Sequence, residues 1–158
     1  MRVSNHIKTS GVLGLGVYAY TGEFVPAAAC FLSGWLIDVD HFLDWWMSFG
    51  PTLQYTRVLN NFSRSRLRRF YVVFHAWEYV ICLLAVYLLY GLPQWAVYAA
   101  LGYTCHLTLD QIFNGPKRPF AYFITYRALH NFNSFFLVRG SKFAPVFAKK
   151  QVAQTDGH

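Results

Sequence analysis

The sequence has little charge, few cysteines and no internal repeat. Charged residues make up 13% and hydrophobic residues 55% of the 158 residues, whereas a typical soluble domain carries roughly 25% charge. With 3 cysteines and 11 glycines, the chain is neither a disulfide scaffold nor collagen-like. The sequence contains no heptad run, which excludes a coiled coil. Aromatic residues reach 20%, which excludes a disordered chain. The composition predicts a single membrane-embedded domain over residues 1–158.

The hydrophobic residues are concentrated in runs. Two runs, Phe70–Leu92 and Pro93–Phe113, have the length of roughly 20 residues that a transmembrane helix needs. Two shorter helices are predicted at about Asn5–Tyr20 and Pro26–Asp38, with a turn at Thr21-Gly22 between them. The predicted fold is therefore all-α, an integral membrane bundle of about four hydrophobic helices.

The remaining stretches are predicted to lie at the surface. Phe42–Arg69 carries aromatic residues followed by arginines, a composition typical of the lipid headgroup level. Phe120–Val138 is aromatic but interrupted by polar residues, so we expect an interfacial C-terminal helix. The tail over residues 140–158 ends in polar residues, and we expect it to be mobile.

The distribution of lysine and arginine predicts the orientation. With a cytoplasmic N-terminus, the turns at Thr21-Gly22 and Gly91–Pro93 face outward without basic residues, and the basic connections face inward. The net charge of +7 then indicates a multi-pass inner-membrane protein in contact with anionic lipid. Nucleic-acid binding is disfavoured, because no groove-reading motif accompanies the arginines. A cleaved signal peptide is an alternative reading of the N-terminus, which Glu23 and Pro26 fit poorly.

This topology brings histidines and acidic residues to the cytoplasmic end of the bundle. His75 with Glu78 and His106 with Asp110 are three and four residues apart, so each pair is predicted to share a helical face. Carboxylates and imidazoles on facing helices commonly form metal sites in bundles. The candidate metal ligands are His6, Asp38, Asp40, His75, His106 and Asp110.

One segment resembles a known family motif. Gly34-Trp35-Leu36-Ile37-Asp38-Val39-Asp40-His41 is similar to the G-x-x-x-P-D-x-D-H motif of the bacterial and archaeal inner-membrane metal-dependent hydrolases. His6 and the H-x-x-x-D pattern at His106–Asp110 match other landmarks of that family, over roughly residues 5–111. Ile37 replaces the usual proline, and the middle motif is matched only at His75. The family is distantly similar to zinc-dependent phospholipase C, so the resemblance implies phosphoester cleavage.

These patterns predict a membrane-bound, metal-dependent hydrolase of phosphoester or lipid-like, amphiphilic substrates. Zinc is the first expectation for a mono- or dinuclear site, with manganese or iron as alternatives. The catalytic candidates are Glu78 and His41. Glu78 is predicted to be the general base or an additional metal ligand, and His41 to bind the metal or to orient a residue that binds it. Contacts with an anionic substrate such as a phospholipid headgroup are assigned to Arg68, Arg69, Arg127 and His130.

Other interpretations stay open. A metal could tie the helix ends together in a non-catalytic membrane protein, or the chain could be a small transporter. Each residue also has a structural interpretation: a single histidine is often a core residue, His41 could cap a helix, and Glu78 could pair with Arg69.

Overall fold

A computed structural model describes residues 3–49, 69–114 and 116–137, and most of these residues are helical. The helices are α1 (Val3–Thr21), α2 (Phe24–Leu36), α3 (Asp40–Phe49), α4 (Trp77–Tyr90), α5 (Gln94–Phe113), α6 (Ile124–Leu129) and α7 (Ser134–Leu137), with short 3-10 turns at Ile37–Val39 and Pro119–Tyr122. The described part of the chain contains no strand, only an isolated bridge between Arg69 and Asn133. The all-α prediction is confirmed.

α1 and α2 form a hairpin whose turn lies where the sequence predicted it. Gly22 has a φ of +71°, a conformation that glycine adopts without the steric cost of a Cβ atom. Both helices begin and end within two residues of their predicted bounds. The hairpin places His6, near the start of α1, beside the end of α2.

α2 packs closely against α5. A Cβ atom on Gly102 would overlap the carbonyl oxygen of Cys30, so only glycine allows this approach of the two backbones. Ser33 Oγ donates a hydrogen bond to the carbonyl oxygen of Ala99 at 2.8 Å. This contact fixes the end of α2 against the first half of α5.

The third predicted helix begins later than expected. Residues 70–76 are not helical, and α4 starts only at Trp77. The reason is that side chains of α3 hold the backbone of this segment: Asp44 accepts hydrogen bonds from the amides of Tyr71 and Val72, and Asp40 accepts one from Phe74. His75 therefore precedes the helix, and the predicted helical pair of His75 with Glu78 is wrong.

In the described part of the chain, none of the helices combines the length and the hydropathy that crossing a membrane requires. α4 has 14 residues, or about 21 Å at a rise of about 1.5 Å per residue, against a hydrocarbon core of about 30 Å. α5 has 20 residues, but its second half contains His106, Thr108, Asp110 and Gln111. The prediction of spanning helices at Phe70–Leu92 and Pro93–Phe113 is not supported.

The predicted C-terminal helix over Phe120–Val138 is broken into short pieces. Asn131 and Phe132 have φ values of +52° and +54°, which end α6 and turn the chain into α7. In the predicted surface connection Phe42–Arg69, α3 extends to Phe49, and residues 50–68 lie outside the described part of the chain. The tail over residues 140–158 also lies outside it.

The centre of the molecule is polar. The apolar core consists of small clusters, such as Ile37, Leu107 and Tyr122, where the two 3-10 turns pack against α5. The most completely buried side chains include, beside Leu107 and Val72, the polar residues Arg127, His6, His75, His106, Asp40, Asp44 and Asp110. Buried ionisable groups are costly unless they are paired or bind a metal, so this cluster is the candidate functional site.

Candidate metal centre

Five parts of the fold contribute side chains to the polar cluster. The start of α1 supplies His6, the 3-10 turn supplies Asp38, and the start of α3 supplies His41. The segment before α4 supplies His75, and the last turns of α5 supply His106 and Asp110. The predicted convergence of these residues at one end of the bundle is found in the structure, and all six are buried.

One group of mutually close ligand atoms joins α1, α5 and the 3-10 turn. It consists of His6, Asp38, His106 and Asp110, and one nitrogen or carboxylate oxygen of each lies within 4.8 Å of the others. His6 Nε2 is 3.0 Å from Asp110 Oδ1, and His106 Nε2 is 3.8 Å from Asp110 Oδ2. The rings of His6 and His106 stack, with centroids 4.0 Å apart. These residues could hold a metal ion.

A second group joins the 3-10 turn, α3 and the segment before α4. It consists of Asp38, His41 and His75, again with ligand atoms within 4.8 Å of one another. Asp38 Oδ1 lies 3.4 Å from His41 Nε2 and 3.5 Å from His75 Nε2. This group could also hold a metal ion.

Asp38 belongs to both groups. Its Oδ1 atom also lies 3.6 Å from His106 Nε2, and its buried Oδ2 atom has no hydrogen-bond partner among the described residues. Burial alone would raise the pKa of the carboxyl, but the hydrogen bonds with His41 and His75 hold that pKa well below its usual range. Asp38 is therefore ionised, as a metal ligand must be.

Two hydrogen bonds determine which ring nitrogen of His75 and of His106 faces the cluster. His106 Nδ1 donates to the carbonyl oxygen of Gly34 at 2.7 Å, and His75 Nδ1 donates to Asp40 Oδ2 at 3.0 Å. In both rings Nε2 is left for the cluster, and these two atoms lie 3.1 Å apart. Metal-binding histidines are held in this way by a carbonyl or carboxylate behind the ring.

Asp40 was predicted as a metal ligand, but in the structure its carboxylate binds the residues around His75. It belongs to neither group of mutually close ligand atoms. Its Oδ2 atom holds His75 and the amide of Phe74. The geometry assigns Asp40 to the orientation of His75 rather than to direct metal binding.

His75 is surrounded by carboxylates. Burial disfavours its imidazolium form, yet hydrogen bonds with Asp110, Asp38 and Asp40 raise the pKa of His75 to about 10. In this structure the positive charge on His75 therefore compensates part of the negative charge of the cluster. A divalent cation would take over that role after the proton has left.

Asp44 is a buried carboxylate beside the cluster that the sequence-based ligand set left out. It is fully buried, and its carboxylate accepts the amides of Tyr71 and Val72 at 3.0–3.2 Å. Burial raises the pKa of Asp44 to about 7. The signal available in the sequence was its spacing of four from Asp40, which places both carboxylates on one face of α3.

Glu78, predicted as general base, is not brought to the cluster. It belongs to neither group of ligand atoms. Its Oε1 atom accepts hydrogen bonds from the amide and the hydroxyl of Thr125, at 2.9 and 2.8 Å. Although partial burial opposes ionisation, these hydrogen bonds lower the pKa of Glu78. Glu78 therefore connects α4 to the start of α6.

Three of the predicted substrate-binding residues are described, and each forms a hydrogen bond with a residue outside both groups. Arg127 is fully buried and donates to the carbonyl oxygen of Val72, so it stabilises the segment before α4 and cannot present its charge at the surface. Arg69 is exposed and donates to Tyr71 Oη. His130 donates to the carbonyl oxygen of Tyr126. Arg68 lies outside the described residues.

The donors suit a divalent cation. Imidazole nitrogens combined with carboxylate oxygens are typical ligands of zinc, and the same set also accepts manganese or iron. Buried polar atoms without partners among the described residues, Asp38 Oδ2 and His6 Nδ1, lie within the same cluster. The residues present thus fit a metal ion.

Comparisons with protein-family models, with curated proteins and with solved structures found no match to this chain.

Proposed function

We propose that this protein is a membrane-associated, metal-dependent hydrolase of phosphoester or lipid-like substrates. The observation that carries the proposal is the position of Asp38 Oδ1, which lies within 3.4–3.6 Å of the Nε2 atoms of His41, His75 and His106. The three imidazoles come from three different parts of the fold and surround one buried carboxylate. Sites of this type bind catalytic divalent ions. The D-x-D-H resemblance supports the same reaction class.

In this proposal the residues of the cluster have two roles, which are to bind the ion and to orient the residues that bind it. A bound divalent ion supplies acidification of water and polarisation of the phosphoryl or acyl oxygen. His6, Asp38, His106 and Asp110 would hold that ion. The Gly34 carbonyl orients the imidazole of His106, and Asp40 orients the neighbouring imidazole of His75. His41 is the least buried of the cluster side chains, at 9% exposed, so substrate reaches the site from its side.

Several apolar surfaces support an amphiphilic substrate and a lipid environment. No residue of α4 is buried, and Leu88 and Leu89 are more than 70% exposed. Exposed apolar faces of this extent mark contact with a membrane or a partner. An apolar groove of about 470 Å³ between α1 and α5 begins at Thr9 and Cys105, close to His6 and His106 in the chain. We infer that lipid covers these faces and that the helices lie in the inner membrane with the site at its cytoplasmic surface.

The experiment combines elemental analysis with hydrolysis assays. The full chain is purified in detergent, its metal content is measured, and release of phosphate, headgroup or fatty acid is followed on a phospholipid panel. We expect hydrolysis that chelation abolishes and that zinc or manganese restores. Metal-bound protein without hydrolysis of any phosphoester or lipid would refute the enzymatic proposal.

A second candidate function is a structural metal site in a non-catalytic protein. The observation that favours it is burial, because His106 and Asp110 are 2% exposed or less, and structural zinc sites are closed to solvent. In that case, metal removal would unfold the bundle, and no substrate of the panel would be cleaved at any metal loading.

A further inference from the structure

The cluster contains more ligand atoms than one ion can use. Six side chains present an imidazole nitrogen or a carboxylate oxygen, whereas zinc takes four ligands as a rule. They fall into two sets of mutually close atoms, and no set includes both His6 and His41. Since bonds from zinc to nitrogen or oxygen are about 2.0–2.2 Å, two ligands of one ion cannot lie much more than about 4.4 Å apart.

We infer that the site is dinuclear and that Asp38 bridges the two ions; this inference rests on the proposed metal-dependent function and specifies its centre. His6, His106 and Asp110 hold the first ion with one carboxylate oxygen of Asp38. His41 and His75 hold the second ion with the other.

Three observations support the bridging role of Asp38. It is the one residue shared by both groups among the described residues. Its Oδ1 atom is close to imidazoles of both groups, at 3.4 Å from His41 Nε2 and 3.6 Å from His106 Nε2. Its Oδ2 atom is buried, and no described residue donates to it, so the lone pairs of this oxygen are unused.

The two groups are also close enough to act together. His75 Nε2, in the second group, lies 3.1 Å from His106 Nε2 and 3.5 Å from Asp110 Oδ2 in the first. Two-metal hydrolytic sites place their ions about 3.5–4 Å apart, a spacing that stabilises the attacking and the leaving oxygen of a phosphoester. The inferred centre therefore suits phosphoester cleavage better than a single ion does.

The first test is the metal stoichiometry of the full chain. The purified protein is stripped with a chelator, titrated with Zn²⁺, freed of excess metal and analysed for zinc per chain. We expect two ions in the wild type, one in His41→Ala and one in His6→Ala, because each variant loses a ligand of one position. His130→Ala is the matched control and should keep two, since His130 bonds to Tyr126 outside the cluster.

The second test detects the bridge in the wild-type protein itself. The wild-type protein is loaded with Mn²⁺, and its electron paramagnetic resonance spectrum is recorded at one and at two equivalents. Two ions bridged by a carboxylate give an exchange-coupled spectrum at two equivalents, and Asp38→Asn should abolish it.

Other outcomes overturn the inference separately from the proposed function. Saturation at one ion per chain, with hydrolysis that chelation still abolishes, would refute the dinuclear centre and leave the hydrolase proposal intact. Two ions that remain in both His41→Ala and His6→Ala would refute this assignment of ligands. Two uncoupled ions in the wild type would refute the Asp38 bridge.

Discussion

His75 Nδ1 lies 3.0 Å from Asp40 Oδ2, while the Nε2 atom of the same ring faces the cluster. The same oxygen accepts the amide of Phe74, so the carboxylate holds both the ring and the backbone of the segment before α4. A residue of α3 thus determines where a histidine 35 positions later in the chain points.

The first prediction concerns this contact. Asp40→Asn should lower Zn²⁺ affinity about 10–100-fold, as loss of the carboxylate behind a metal-binding histidine does in other sites. Affinity is measured by competition with a chromophoric chelator, and far-UV circular dichroism checks that the helices persist. Unchanged affinity in a folded variant would mean that Asp40 does not orient His75 for metal binding.

The second prediction concerns His106, which connects α5 to the end of α2 through the Gly34 carbonyl. His106→Ala should reduce bound metal and thermal stability together, since a ligand that binds only the folded state adds about 4 kcal/mol at a concentration 1,000 times its Kd. Melting temperatures are compared with and without chelator. The metal-dependent gain in the wild type should shrink in the variant; an equal gain in both proteins would remove His106 from the site.

The third prediction is a pH dependence. Because the carboxylates raise the pKa of His75 to about 10 in the metal-free protein, its proton must leave before metal binds. Apparent Zn²⁺ affinity should therefore rise between pH 6 and 8, by up to about tenfold per pH unit for one released proton. Calorimetric titration in buffers of different ionisation enthalpy measures the protons released. Binding without proton release would contradict a protonated His75.

The same pKa predicts how the metal-free protein responds to pH. The folded-state pKa of His75 lies above the value of about 6.5 in an unfolded chain. Its contribution to the free energy of unfolding is therefore complete below about pH 6.5 and is lost as the pH rises toward 10. Denaturant titrations of chelated protein at pH 6, 8 and 9.5 should show this decline, and His75→Gln should flatten it.

The fourth prediction concerns the exposed apolar face of α4. Replacing Leu88 and Leu89 with lysine should weaken flotation with vesicles of phosphatidylethanolamine and phosphatidylglycerol, because a lysine in hydrocarbon costs on the order of 3 kcal/mol. The double replacement by valine is the matched control and should float like the wild type. Equal flotation of the lysine variant would show that this face does not contact lipid.

The sequence predicted the hairpin and α5 well, because their signals are local. Gly22 marks a turn, and the spacing of His106 and Asp110 places both on one face of α5. The convergence of the candidate metal ligands was predicted from the alternating direction of the helices alone. It survives although none of the described helices is long and apolar enough to cross a membrane, because an antiparallel helix pair brings alternate helix ends together in any environment.

The predictions that did not hold depend on contacts between residues far apart in the chain. Apolar residues from Phe70 onward look helical, but Asp40 and Asp44 bind the backbone amides of residues 71, 72 and 74 and keep this segment out of α4. A hydrogen bond between a carboxylate and an amide about 30 positions away leaves no periodic pattern in the sequence that would predict it. The role expected for Glu78 depended on that misplaced helix start.

The last prediction separates the two roles of Glu78. In the structure its carboxylate binds Thr125 and not the cluster, so Glu78→Gln should keep its metal and its rate of hydrolysis. It should lose on the order of 1 kcal/mol of stability, since a neutral amide oxygen accepts hydrogen bonds less strongly than a carboxylate. Thr125→Val is the matched control: it removes only the hydroxyl donor and should cost a similar amount.

Kinetics and metal analysis of Glu78→Gln then decide between the interpretations. A general base would show retained metal with hydrolysis slowed on the order of 10²-fold or more, and a metal ligand would show metal and hydrolysis falling together. Either result would mean that α4 turns toward the cluster in the working enzyme and that the Thr125 contact is broken there. Retained metal and rate, with a stability loss that matches Thr125→Val, assigns Glu78 to the connection between α4 and α6. The proton of the attacking water would then pass to a group other than Glu78.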